Sequence, residues 1–315
     1  DSMSDPATTA GLSLSDLRGD PRRVRKETIV RALLTAAATI SIAISAGIIY
    51  SLAKETFTFV TQVEWSTVLF SDGWFPRQGV YDIRTLLVGS LLVTVIAMLV
   101  AVPLGLGAAI YLSEYARPTV RKVLKPTLEV LAGIPSVVLG FFAVSVISPS
   151  LIRRLFEGAN LFNLSAAGVA VGILSIPLIA SVSEDALRSV PSALREASYG
   201  MGARRITTVT KVVVPAAVSG LVAAAILAVS RAIGETMVVF IAGGAAGNQA
   251  FSTDVLQPGL TMTAAMATQA QGTDQVVGEG LTFQSLYFVG AVLFVLTLGL
   301  NLVADRFVRR VRQSY

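Results

Sequence analysis

The chain contains no cysteine and no histidine in 315 residues. Disulfides, thiol nucleophiles, zinc sites of the usual ligand set and imidazole acid–base chemistry are therefore excluded. Charge is scarce too. Only 14% of residues are charged against 53% hydrophobic, and the mean hydropathy is +0.70, far from the roughly one-quarter charged residues of a soluble domain. This balance belongs in a lipid bilayer. None of the lysines follows a glycine, so the chain has no G-x-x-x-x-G-K-[ST] phosphate loop. An intramembrane enzyme fits poorly, because no pair of carboxylates stands at a catalytic spacing.

A spanning helix needs about 20 largely apolar residues. Runs near Ile29–Leu52, Leu86–Tyr111, Pro126–Ile147, Leu164–Val182, Val212–Ala242 and Leu286–Phe307 meet this requirement, which predicts an all-α polytopic membrane protein with about six spans. The first run is too long for a cleavable signal, and its Ser-Ala-Gly at 45–47 lies in mid-run. The basic residues then orient the bundle. With the N-terminus cytoplasmic, the outer segments hold only Lys54, Arg77, Arg84, Arg153 and Arg154 of the 25 Lys and Arg, and Arg231 lies within a span. The rest face inward, as the positive-inside rule requires, with both termini cytoplasmic.

Residues 1–20 are small and polar without periodicity and read as a mobile tail, giving a division into a cytoplasmic tail over 1–27 and a transmembrane domain over 28–315. Residues 243–283 are Gly-, Gln-, Thr- and Ser-rich without Lys or Arg. They fall outside the membrane, with room for a short re-entrant or surface helix around Gly259–Ala270.

The polar stretch at 183–215 is patterned. Pro191 suits a helix start, Ser192–Ala197 are good helix formers, Gly200 and Gly202 permit a sharp turn, and Ala203-Arg204-Arg205-Ile206 opens a second amphipathic piece. A helical hairpin follows, over about 184–211. Its Glu196-Ala197-Ser198, three residues, Gly202, nine residues, Val212-Val213-Val214-Pro215 resembles the EAA loop of ABC importer permeases, departing from it at Ser198 and in its valines. The resemblance implies a type I (MetI-like) permease fold and a loop that docks in a groove of the ATPase. Glu196, Ala197, Gly202, Arg204 and Pro215 are the coupling residues it implies. An ordinary juxtamembrane hairpin is the plainer alternative.

Further stretches are similar to the phosphate importer permeases: Trp74-Phe75-Pro76, Tyr81-Asp82-Ile83, Leu87–Leu91, Leu112-Ser113-Glu114-Tyr115, Leu131–Val138 and Arg231-Ala232-Ile233-Gly234-Glu235-Thr236-Met237. Methionine after Gly-Glu-Thr and the Trp-Phe-Pro region resemble the PstC branch rather than the PstA branch. This implies a bacterial cytoplasmic-membrane complex with a PstA-like second permease, a PstB-like ATPase dimer and a PstS-like phosphate-binding protein. ATP and magnesium are then on the ATPase, with no cofactor on this chain. The implied partners besides membrane lipids are all protein, with no nucleic acid.

Arg231 and Glu235 stand four residues apart in an apolar run, and on a continuous helix they share one face. Intramembrane charges usually face the bundle interior beside a partner or water, and a guanidinium fork fits phosphate oxygens. The pair, with Thr236 and Ser136, is the expected substrate pathway. A permanent ion pair that orients helices is the competing reading, and for Ser136 so is a plain kink at Pro135. A permease for another oxyanion such as sulfate or molybdate, and an ATP-independent channel or scaffold, are the alternative functions.

Overall fold

A computed structural model describes residues 21–244, 250–271 and 280–311. The tail expected over residues 1–20 lies outside them. The chain divides into two units, Asp1–Ala53 and Lys54–Tyr315. Helix α1 runs over Pro21–Gln62, so residues 21–27 are helical rather than part of a tail. In the first unit its apolar side chains, such as Leu34 and Ile42, are exposed, as hydrocarbon surroundings allow.

The second unit begins with the end of α1, the short helix α2 (Trp65–Leu69) and a two-stranded antiparallel hairpin of β1 (Trp74–Phe75) and β2 (Val80–Tyr81). Trp74 is 1% exposed, and Phe59 stacks on Phe288 and meets Tyr81 edge-on. Asp82 caps α3 (Ile83–Ile110): its buried carboxylate accepts from the Arg84 backbone N–H and Nε and from Thr85 Oγ1. The Trp-Phe-Pro and Tyr-Asp-Ile stretches are thus architectural here. They close one end of the bundle and start a span with a satisfied cap.

Among the described residues, six helices are long and apolar enough to cross a membrane: Arg25–Gln62, Ile83–Tyr115, Ser136–Leu155, Leu164–Arg188, Arg205–Ile233 and Thr282–Arg309. Two expected spans change. The third was expected over Pro126–Ile147, but Pro126 lies inside α4 (Pro118–Leu131), an amphipathic helix with no buried residue. Its basic and apolar sides suit a membrane surface rather than a crossing. Proline disfavours helical geometry in the residue before it, and the chain breaks between Leu131 and Pro135. It then crosses as α5 (Ser136–Phe142), wider π-type turns over Ala143–Ile152 and α6 (Arg153–Leu155).

The fifth span was expected to run unbroken over Val212–Ala242. It ends at Ile233 as α10 (Val214–Ile233), and α11 (Met237–Ala242) follows after a three-residue break. Between the fourth span, α7 (Leu164–Arg188), and α10 stand α8 (Ser192–Gly200), α9 (Arg205–Thr208) and a π-type turn over Val209–Val213. The short helix expected near 259–270 is α12 (Met262–Ala270), and α13 (Thr282–Val311) is the last span.

The centre is α3 against α7. They approach where side chains are smallest: a Cβ on Gly172 would fall 2.8 Å from the Ala97 carbonyl oxygen, and one on Gly105 would fall 2.7 Å from the Ile179 side chain. Small residues at such crossings bring backbones into close contact. Ala166, Ala167, Ala170 and Val171 continue this core toward α5 and α11.

Candidate functional site

The hairpin expected over 183–215 is present. Gly202 turns it at φ +80°, a left-handed geometry that favours glycine. Ser198, where the chain departs from the EAA pattern, is buried and its hydroxyl meets Thr208 Oγ1 at 2.8 Å across the turn. The departure therefore ties the two arms of the hairpin together. Glu196, Ala197 and Arg204 are exposed, as is Met201 at 83%. Pro215 stands at the start of α10, directly after the π-type turn over Val209–Val213.

Two buried carboxylates organise this end of the bundle: Glu114 holds the hairpin to the end of α3, and Glu184 holds α7 to α4. Glu114, 6% exposed in the turn after α3, takes Arg195 Nη2 at 2.9 Å, while Arg195 also donates to the carbonyls of Leu187 and Val190. Arg205 donates to the Glu114 backbone carbonyl and lies over the Tyr115 ring. Glu184, fully buried near the end of α7, faces Arg121 and Lys125 of α4, the latter at 2.7 Å, and Arg188 at 3.7 Å. Lys125 reaches Asp185 as well, at 3.0 Å. The hydrogen bond to Glu184, reinforced by Asp185, raises the Lys125 pKa above its ordinary value. Sequence reading placed Glu114 in a family motif without a partner and gave Glu184 no role. Glu184 with Arg188 at i+4 was the one local signal, since the other partners lie between 59 and 81 residues away.

The substrate-pathway residues are arranged differently from expectation. Arg231 lies in the last turn of α10, where the helix dipole favours a cation. The helix ends two residues before Glu235, so the two do not share one helical face. Arg231 is exposed and Glu235 partly so, and among the described residues neither side chain joins an ion pair. Side chains from elsewhere secure the break: Thr263 Oγ1 donates to the Glu235 carbonyl at 2.7 Å, and Thr236 Oγ1 donates to the Gly234 carbonyl. The Thr261–Thr263 segment is itself seated on α3. Ser90 Oγ accepts from the Met262 N–H at 3.0 Å, and a Cβ on Gly89 would fall 2.2 Å from the Leu260 carbonyl oxygen.

Ser136 starts α5 directly after the break at Pro135, which makes the expected kink a real one. Helix α5 packs on α11, which follows Thr236: a Cβ on Gly140 would fall 3.2 Å from the Met237 carbonyl oxygen. The start of the third span and the segment after the break in the fifth therefore meet side by side. Irregular backbone at membrane depth is tolerated where protein or a cavity satisfies it.

Residues 101–313 match the family described as binding-protein-dependent transport system inner membrane component. The fold resembles a bacterial alginate ABC transporter solved with a pentasaccharide-bound periplasmic protein, at TM-score 0.66 and 14% identity over 93% of this chain and 98% of that one. It also resembles the inward-facing MetNI methionine ABC transporter, at TM-score 0.56 and 22% identity over 73% and 96%. These features define the class: a multi-pass inner-membrane permease of a binding-protein-dependent ABC transporter.

Over 304 residues, 90% of each chain, the sequence is 31% identical to the phosphate transport system permease protein PstC of Mesorhizobium japonicum. It is 38% identical over 216 residues to the probable ABC transporter permease protein YqgH of Bacillus subtilis, 66% of this chain and 69% of that one. The chain belongs to the PstC family.

Proposed function

We propose that the chain is one transmembrane subunit of an ATP-driven importer that moves inorganic phosphate across the bacterial cytoplasmic membrane by alternating access. It pairs with a PstA-like permease, receives phosphate from a PstS-like binding protein, and is driven by a PstB-like ATPase dimer that binds the ATP and magnesium. The chain itself carries no catalytic site. Both termini and the hairpin face the cytoplasm, in line with the distribution of Lys and Arg.

The observation that carries this reading is the hairpin of α8 and α9. Its outer residues, Glu196, Ala197, Met201 and Arg204, are open to a partner, while Arg195 and Arg205 bind its base to the end of α3 through Glu114. A push on α8 therefore reaches a span through charge-assisted hydrogen bonds, which are short and strong. At mid-bundle, Arg231 offers an unpaired guanidinium to an oxyanion. Glu235, Thr236 and Ser136 complete the pathway beside it.

The test is labelled-phosphate uptake, with sulfate as control, in cells lacking their own high-affinity phosphate system and carrying this chain with its partner subunits. Wild type should take up phosphate alone and only with a hydrolysis-competent ATPase. Arg231→Gln at matched membrane abundance should lower uptake at least about tenfold, the loss of roughly 1.4 kcal/mol or more of anion stabilisation. Sulfate uptake by wild type would move the substrate to another oxyanion, and uptake without the ATPase would identify a channel. Undiminished phosphate uptake in the variant would make Arg231 architectural.

A further inference from the structure

Between α4, the end of α3 and the hairpin lies a cavity of about 880 Å³, large enough for a small ligand by the usual range of roughly 300–1,000 Å³. Six basic side chains line it against two carboxylates, Glu114 and Glu129. Behind the wall, Glu184 and Asp185 engage Arg121, Lys125 and Arg188, and Glu114 engages Arg195. Positive charge remains in excess. Arg205 gives one N–H to a backbone carbonyl and lies over a neutral ring, Lys122 joins no ion pair among the described residues, and Arg121 Nε is buried without a hydrogen-bond partner. An anion entering here meets the uncompensated charge of Lys122 and Arg205 together.

The setting of the cavity identifies the anion's source. Helix α4 forms one wall and also exposes Val123 at 63%, together with Val120 and Leu124. Such a helix lies in the boundary between headgroups and acyl chains, and basic pockets between spans at that depth suit anionic headgroups. We propose that this cavity binds a phosphate-bearing anion, presented by the headgroup of an anionic phospholipid of the leaflet on the hairpin side. Lys122 and Arg205 supply the uncompensated charge. The site lies beside the base of the coupling hairpin rather than on the substrate pathway.

The assembled complex, purified from membranes and exchanged into mixed phosphatidylglycerol and phosphatidylcholine, would be compared by native mass spectrometry of the lipid it retains. Phosphatidylglycerol should be retained preferentially. Lys122→Gln should reduce that preference about fivefold, the factor equivalent to one basic residue at an anionic surface, while Lys122→Arg keeps it and Arg77→Gln, at the other end of the bundle, leaves it unchanged. Equal retention of the two lipids, or a preference insensitive to Lys122→Gln, would overturn the proposal. So would inorganic phosphate that raises the melting temperature of delipidated wild type but not of Lys122→Gln, which would assign the anion to free phosphate. A cavity found covered by the ATPase, with no lipid retained, would overturn it in favour of a protein partner.

Discussion

The hairpin end of the bundle and its interrupted middle treat charge in opposite ways. At the hairpin end, two buried carboxylates are paired, Glu184 with three cations and Glu114 with Arg195. In the middle, Arg231 and Glu235 sit close in sequence and yet pair with nothing among the described residues. Buried pairs contribute little over an apolar replacement but strongly resist the loss of one partner. They fix geometry. An exposed, unpaired guanidinium fixes nothing by itself and remains available to whatever arrives from outside the chain.

The contrast is broken most severely at Glu184. Glu184→Gln leaves three cations facing a neutral group, and by the magnitude for breaking a buried pair, about 3–5 kcal/mol, the thermal stability of the purified complex should fall sharply along with its membrane abundance. Glu114→Gln is milder, because Arg195 keeps its bonds to Leu187 and Val190. A loss of about 1.5–3 kcal/mol is expected for a hydrogen bond to a charged group. Its signature is a complex that assembles and hydrolyses ATP but transports less phosphate for each ATP consumed.

The middle depends instead on shape. Gly89→Ala must displace the Leu260 carbonyl, and overpacking of this kind costs roughly 1–3 kcal/mol. Protease accessibility near residues 258–263 should rise in the variant. Gly107→Ala, with open space around its Cβ position, should be neutral or stabilise the helix by up to about 1 kcal/mol. The smallest shift in stability belongs to Arg231→Gln, expected within about 0.5 kcal/mol for an exposed side chain. A large drop in melting temperature there would show that the charge is structural and would erase the contrast.

Much of this architecture was legible in the sequence. Spans two, four and six fall where hydropathy puts them, and the hairpin turns at Gly202 as its glycines indicate. The third span was misplaced because Val and Leu on an interfacial helix raise hydropathy as effectively as those of a crossing. Gly133-Ile134-Pro135 was the punctuation that marked the true boundary. Arg231 and Glu235 looked like helical neighbours because a four-residue spacing assumes an unbroken helix, which ends here at Ile233. Hardest to read were Glu114 and Glu184. Their partners come from distant segments, and no local period encodes a contact made across the bundle.

The glycine contacts between α3 and α7 have a mechanical consequence. Helices that touch backbone to backbone leave little room for side chains to yield, so the two move as a single beam, and the hairpin grips that beam at one end through Glu114. At 1.5 Å per residue the 25 residues of α7 make a lever of about 38 Å, and a tilt of only about 5° sweeps its far end through about 3 Å. That arc is comparable to the size of a small oxyanion. A modest rotation at the hairpin is thus converted into a displacement of that size at the opposite end of α7.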